Sequence, residues 1–147
     1  MVDHSKMVKV LIRTPFGRFE SMWATPLGGG KYRLENSPFQ SYGLSYHDVV
    51  EAVPSKEEMM LPVVSRVHTK SGNRTIRAHV KEGLETEKGK RVLAVINQLG
   101  SNYEGANKTI LAINVPPSCD LEVLCRTLEE HGAEFEYVDP SPLYARG

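Results

Sequence analysis

The chain reads as an α+β protein in two parts, a small antiparallel β-sheet or barrel over residues 7–70 packed on a ferredoxin-like β-α-β-β-α-β unit over 71–140. Three observations predict this. Residues before 70 form short period-2 apolar runs divided by turns. Two 3.6-period helical patterns, each closed by a glycine, appear only after residue 80. No stretch rich in Pro, Gly or Ser separates the parts, so both are expected to form one compact body. At 147 residues with 40% hydrophobic content, the chain is long enough to bury such a body.

The elements follow in order. "MVKVLIR" is apolar and β-branched, and "RFESMWAT" alternates Phe19, Ser21 and Trp23 against Glu20, Met22 and Ala24. Core packing is the expectation for Trp23 and Phe39. Gly28, Gly29 and Gly30 then permit positive φ at a hairpin, and "KYRLEN" is the return strand. That glycine run opens no helix and lacks a Lys-Ser/Thr ending, so nothing supplies the dipole of a phosphate loop. "HDVVEAVP" and "MMLPVVSRVH" add two strands joined through "PSKEE".

"SGNRTIRAHV" is a strand after a Ser-Gly turn, with Arg74, Ile76, Ala78 and Val80 on one face and Asn73, Thr75, Arg77 and His79 on the other. Val92, Val95, Ile96 and Leu99 recur at helical spacing before Gly100. "SNYEG" and "KTILAINVPP" are strands, the second ended by its prolines. "SCDLEVLCRTLEEHG" is an amphipathic helix between a Ser/Asp start and Gly132, and "AEFEYVDP" is the last strand. The strand "TILAINV" is apolar on both sides, so the sheet face away from the helices should be covered by the first part.

Composition narrows function. Eighteen basic and eighteen acidic residues cancel, which removes the main electrostatic drive towards nucleic acid or an anionic membrane. Locally, residues 66–91 carry eight basic and three acidic groups and residues 116–147 two and seven, giving +5 and −5. No apolar run approaches the roughly 18 residues that span a bilayer, and the start lacks a leader-like core, so a cytoplasmic location is expected. Cys119 and Cys125, six apart, form neither a redox pair nor a metal half-site, and Cys125 shares the register of Leu121, Leu124 and Leu128.

The stretch "ENSPFQSYGLSYHDVV" looks most like a site. It gathers Phe39, Tyr42 and Tyr46 beside His47 and Asp48. Adjacent strand residues point to opposite faces, so His47 and Asp48 are not expected to act as a dyad. Ser41 and Ser45 lack a nucleophile elbow. His68 and His79 flank the "TKSGNR" turn and would converge only if their strands paired, and no third ligand sits at metal spacing. No cofactor or metal is expected.

"ESMWATPLGGGKYRLENSPFQSYGLSYHDVVEA", "SGNRTIRAHV" and "LAINVPPSCDLEVLCRTLEE" together resemble a bacterial family known only as domain of unknown function 4265. Its pattern, E-S-[LM]-W-A-x-P-x-G-x-G-x-Y-R-[LV]-x-N-x-P-F, then Y-G-[VL]-S-Y-x-D-V-V, then V-P-P, is met from about Val8 to about Pro140. The resemblance implies a small stand-alone bacterial protein and brings no catalytic residues. Two features depart from it: a short "TPFGR" where an acidic insert is usual, and Ser101 in place of a frequent Cys.

A non-enzymatic protein-binding module is therefore the leading expectation, most concretely an immunity protein that plugs a cognate toxin. Tyr42, Tyr46, Glu129, Glu130, Glu134 and Glu136 would meet the partner. One alternative is an RNA-binding or translation-associated module using Arg74, Arg77, Lys88, Lys90 and Arg91, although the central strands "NRTIRAHV" and "TILAINV" carry no base-stacking aromatic and nucleic acid is disfavoured. The other is a small-ligand protein or enzyme built on residues 42–48.

Overall fold

The computed structural model describes residues 6–141 and shows a mixed α+β chain with two sheets and two helices. The first sheet contains β1 (Val8–Arg13), β2 (Phe19–Gly28), β3 (Lys31–Leu34), β4 (Val49–Ser55) and β5 (Leu61–Thr69). Each strand pairs antiparallel with the next, and β1 returns to β5 in parallel at Leu11 and Val63, which closes the sheet. Register shifts at Val49/Val50 and Glu51/Ala52 bend the β4–β5 ribbon enough to make that closure.

Alternation in β2 is real, but its inward face carries Glu20, Met22 and Ala24. Trp23 is 45% exposed, with Lys9 Nζ lying 5.3 Å from its ring centroid. The expected core tryptophan is therefore a surface residue. Period-2 spacing divides a strand into two faces without saying which one turns inward. Gly28, Gly29 and Gly30 take φ of 88°, 63° and 76° at the hairpin, a conformation costly for residues with a Cβ. Val10, Met22, Ala24, Leu34, Leu44 and Val50 fill the closed sheet.

The second sheet has β6 (Arg74–His79), β7 (Asn102–Gly105), β8 (Ile110–Val115) and β9 (Glu134–Asp139) in the order β7-β8-β6-β9, all antiparallel. Helix α1 (Glu87–Gln98) links β6 to β7, and α2 (Leu121–Glu130) links β8 to β9. Both helices are capped by side chains, with Thr86 accepting from the Gly89 N–H and Asp120 from the Val123 N–H. Ile76, Ala78, Leu111, Ile113 and Val115 pack against Val92, Ile96, Leu124 and Leu128, each fully buried leucine or isoleucine contributing about 2 kcal/mol. Cys125 lies in this core, and burial pushes its thiol above the usual range.

The other face of the second sheet is polar. Thr75 and Arg77 from β6 and Asn114 from β8 point away from the helices, and all three are buried. What buries them is the long connection between β3 and β4, residues 35–48. Strand β5 pairs with β4 and β1, and β6 with β8 and β9, so the hairpin that would join His68 to His79 does not form. His68 bonds Thr69, while His79 Nδ1 lies 3.8 Å from Glu134.

Candidate functional site

The 35–48 connection has almost no regular structure, so its backbone polar groups need partners, and carboxylates supply many of them. Buried Glu20 of β2 accepts from the N–H groups of Phe39, Gln40 and Ser41 at 2.6, 3.1 and 2.9 Å, and from the Ser41 hydroxyl at 2.7 Å. Glu104 of β7 accepts from Asn36 Nδ2 at 3.1 Å and from the Ser37 N–H at 2.6 Å. Arg77 donates to the carbonyls of Pro38 and Ser41 at 3.4 and 3.2 Å. Ser41 thus works as an anchor and Ser45 likewise, its hydroxyl meeting Thr75 and Asp139.

The exit of the connection is held by Asp48, which is fully buried. It accepts from the Ser45 and Ser71 N–H groups at 2.9 and 2.8 Å and from Lys70 Nζ at 2.5 Å. Lys70 also reaches Asp139 and the Gly43 carbonyl, so a single ammonium joins β9 to the connection. His47 turns the other way, at φ 69°, and its Nε2 meets Glu35 at 3.0 Å while its ring stacks on Tyr46 at 3.8 Å. His47 and Asp48 therefore belong to separate networks.

Two clefts flank this connection. The first holds about 310 Å³ between Phe16, Phe39 and Tyr42 on one side and Arg77, His79, Glu134, Phe135 and Glu136 on the other. Arg77 is its buried charge, its guanidinium 4.6 Å from the Tyr42 ring centroid and its Nε donating to Glu136 at 2.8 Å. The Tyr42 hydroxyl donates to the same carboxylate at 2.9 Å, and burial together with that bond raises its pKa. Phe39 is half-buried and lines this cleft instead of a core. Strand β9, which carries Glu134 and Glu136, is an edge of its sheet.

The second cleft, about 220 Å³, lies at the opposite edge and is lined by Glu35, Ser37, Tyr46, Asn102, Tyr103, Glu104 and Asn114. Burial pushes the Glu35 carboxyl up, but hydrogen bonds from Thr25 and Arg33 and the charge of Arg33 outweigh it and hold the group below the usual range. A carboxyl depressed in the folded state contributes stability that is present above its unfolded pKa of about 4.3 and lost as pH falls through the folded value. The thermal midpoint is therefore expected to drop on acidification below about pH 4.3, and Glu35→Gln to shallow that acid limb in melts read by circular dichroism.

Tyr42 and Tyr46 thus serve different clefts. Glu134 and Glu136 border the first, whereas Glu129 and Glu130 are exposed at the end of α2, leading into the same edge strand. The basic set is not brought together. Arg77 is buried and paired, Lys88 bonds Glu82 at 3.1 Å, and exposed Arg74 opens β6 while Lys90 and Arg91 lie on α1 beyond the other end of that strand. Sequence reading missed Glu20, Glu35, Lys70, Glu104, Asn114 and Asp139. Only Glu20 left a signal there, a carboxylate sharing strand parity with Met22 and Ala24.

Among the described residues, no three His, Cys, Asp or Glu side chains form a group able to hold a metal, and no helix is long and apolar enough to cross a membrane. A family model described as Domain of unknown function (DUF4265) matches residues 20–137. No curated protein matches the chain. A solved structure, described as a novel crystal structure of a hypothetical protein from Neisseria gonorrhoeae, superposes with a TM-score of 0.71 at 17% identity. The match covers 92% of this chain and 96% of that one. At that identity the likeness concerns the fold alone.

Proposed function

We propose that the chain, which belongs to the family Domain of unknown function (DUF4265), is a non-catalytic protein-binding module. Most concretely, it is a bacterial immunity protein that neutralises a cognate toxin in the cytoplasm by stoichiometric binding. We read its halves as a small β-barrel over 7–70 and a ferredoxin-like unit over 71–140. The observation that carries the proposal is the acidic border of β9. Glu134 and Glu136 flank the aromatic cleft, and exposed Glu129 and Glu130 precede the strand.

An edge strand offers unpaired backbone groups to an incoming segment, and aromatic walls offer contact area at low entropic cost. The surrounding carboxylates favour a basic partner and steer its approach. The nucleic-acid reading has less support, because Arg77 is buried, with Nε donating to Glu136 and Nη1 to two carbonyls.

Tagged protein expressed in its native host is expected to copurify with one partner at fixed stoichiometry. The triple variant Glu129→Lys, Glu130→Lys, Glu134→Lys should weaken that complex at least tenfold, mainly through slower association at low salt. Glu136 is left intact because it holds Arg77 and Tyr42. Recovery of the protein alone, or a complex indifferent to the triple variant, would count against the reading.

A further inference from the structure

The floor of the first cleft holds donors that the fold leaves unmatched. An arginine carries five N–H groups. In Arg77, Nε gives its one to Glu136 and Nη1 serves the Pro38 and Ser41 carbonyls, so the pair on Nη2 has no aligned acceptor among the described residues. Nη2 is not sealed from solvent, unlike the unpartnered amide oxygens of Gln40 and Asn114, and it opens onto the cleft that Arg77 lines. The side chain is only 7% exposed, so a group that covers it must bring an acceptor or strip it of its remaining water at a cost.

Charge and shape restrict what enters. Arg77 repels a cation from the floor, and Glu134 and Glu136 repel an anion at the rim. What fits is a neutral group with an apolar body and an acceptor oxygen. Phe16, Phe39 and Phe135 provide apolar walls, and about 310 Å³, roughly ten waters' worth, admits one aromatic side chain. Phenylalanine brings no acceptor and tryptophan only a donor, whereas the phenol oxygen of tyrosine accepts.

Strand β9 determines how such a group is delivered. Its C-terminal end is already engaged, because the Val138 carbonyl accepts from the Gly43 N–H at 2.6 Å. On the edge away from β6, the backbone over Glu134–Glu136 has no partner among the described residues, and this stretch forms the cleft rim. Exposed Glu134 lies 3.8 Å from His79 and pairs with no lysine or arginine among the described residues.

Resting on the reading that this chain binds a protein partner, we propose that the partner adds an extended segment to β9 at Glu134–Glu136 and seats a tyrosine in the cleft. Its phenol oxygen accepts from Arg77 Nη2. A lysine or arginine two positions from that tyrosine falls on the same face of the added strand and meets Glu134.

The test is a titration of the ¹⁵N-labelled protein with acetyl-Lys-Thr-Tyr-Thr-Lys-amide, its counterpart with Phe for Tyr, and its counterpart with Glu for both Lys. Saturable shifts are expected at Phe39, Tyr42, Phe135 and Glu136, with affinity about fivefold lower for the phenylalanine peptide and no saturation with the glutamate peptide. Phe16→Ala, which removes an exposed wall, should weaken the tyrosine peptide several-fold with an unchanged melting temperature. Arg77→Lys keeps the charge, loses Nη2 and should erase the preference for tyrosine. The two peptides on the wild-type protein decide the same point if that variant does not fold.

No saturable shift with the tyrosine peptide up to about 10 mM, equal affinity for the phenylalanine peptide, or shifts confined to residues outside the cleft would overturn the proposal. Acetyl-tyrosine amide binding as tightly as the pentapeptide would overturn the strand addition and assign the cleft to a small phenol. A partner captured from the host while the pentapeptide stays unbound removes only the tyrosine. A bound pentapeptide with no captured partner removes only the toxin, so the two proposals fail separately.

Discussion

Replacing Asp48 by alanine is expected to destabilise the protein by about 3 kcal/mol, read as a fall in the urea midpoint with little change in slope. The carboxylate is wholly inside and makes three charge-assisted hydrogen bonds, two to backbone N–H groups and one to Lys70. Without it the Ser45 N–H has no acceptor in a buried position, whereas Ser71 and Lys70 are exposed enough to turn to water. Most of the loss therefore belongs to one backbone donor and to the loosened exit of the connection. Asp48→Asn retains an acceptor and should lose roughly half as much. Equal stability of wild type and Asp48→Ala would mean that the connection is held from its other end alone.

The second large effect has a sign opposite to helix propensity. Gly89→Ala places the better helix former inside α1, and propensity alone predicts a gain of about 1 kcal/mol. Gly89 sits instead where the turn before the helix folds back over its first residues. A Cβ there would lie 2.4 Å from the Gly83 carbonyl oxygen and 2.5 Å from that of Leu84. These are backbone atoms, held by the Gly83 N–H donating to Val80 and the Leu84 N–H donating to Lys108, so they cannot yield as a side-chain tip would. Loss of at least 2 kcal/mol is expected, measured by thermal or urea unfolding. A stabilised variant would show that the 80–86 turn moves freely.

Order and kind of the elements were legible because local chemistry marks them. Gly28–Gly30, Gly100 and Gly132 sit at positive φ where turns or helix ends require it, and Thr86 and Asp120 cap the helices. Facing was less legible. Alternation in "FESMWAT" gives two sets, and the set containing a carboxylate proved to be inside because three consecutive N–H groups of the connection need that carboxylate. The anchors of the 35–48 connection were not legible either. Thr75, Arg77, Glu104 and Asp139 act at separations of 30 to 94 residues, and no periodicity reports on such contacts. Tyr42 and Tyr46 were singled out as contact residues, yet each lines a separate cleft.

Those separations set a timetable for the chain as it is made. β1, β2 and β3 can pair with their neighbours as soon as they appear, but β1 waits for Val63 before the first sheet can close. The 35–48 connection waits longer still, since Arg77, Glu104 and finally Glu136 and Asp139 must be in place before Pro38, Ser37, Tyr42 and Ser45 find their partners. Both clefts are consequently among the last features assembled. A nascent chain that has not yet laid down β9 lacks one wall of the first cleft, so that cleft takes shape only after Glu134, Phe135 and Glu136 have been added.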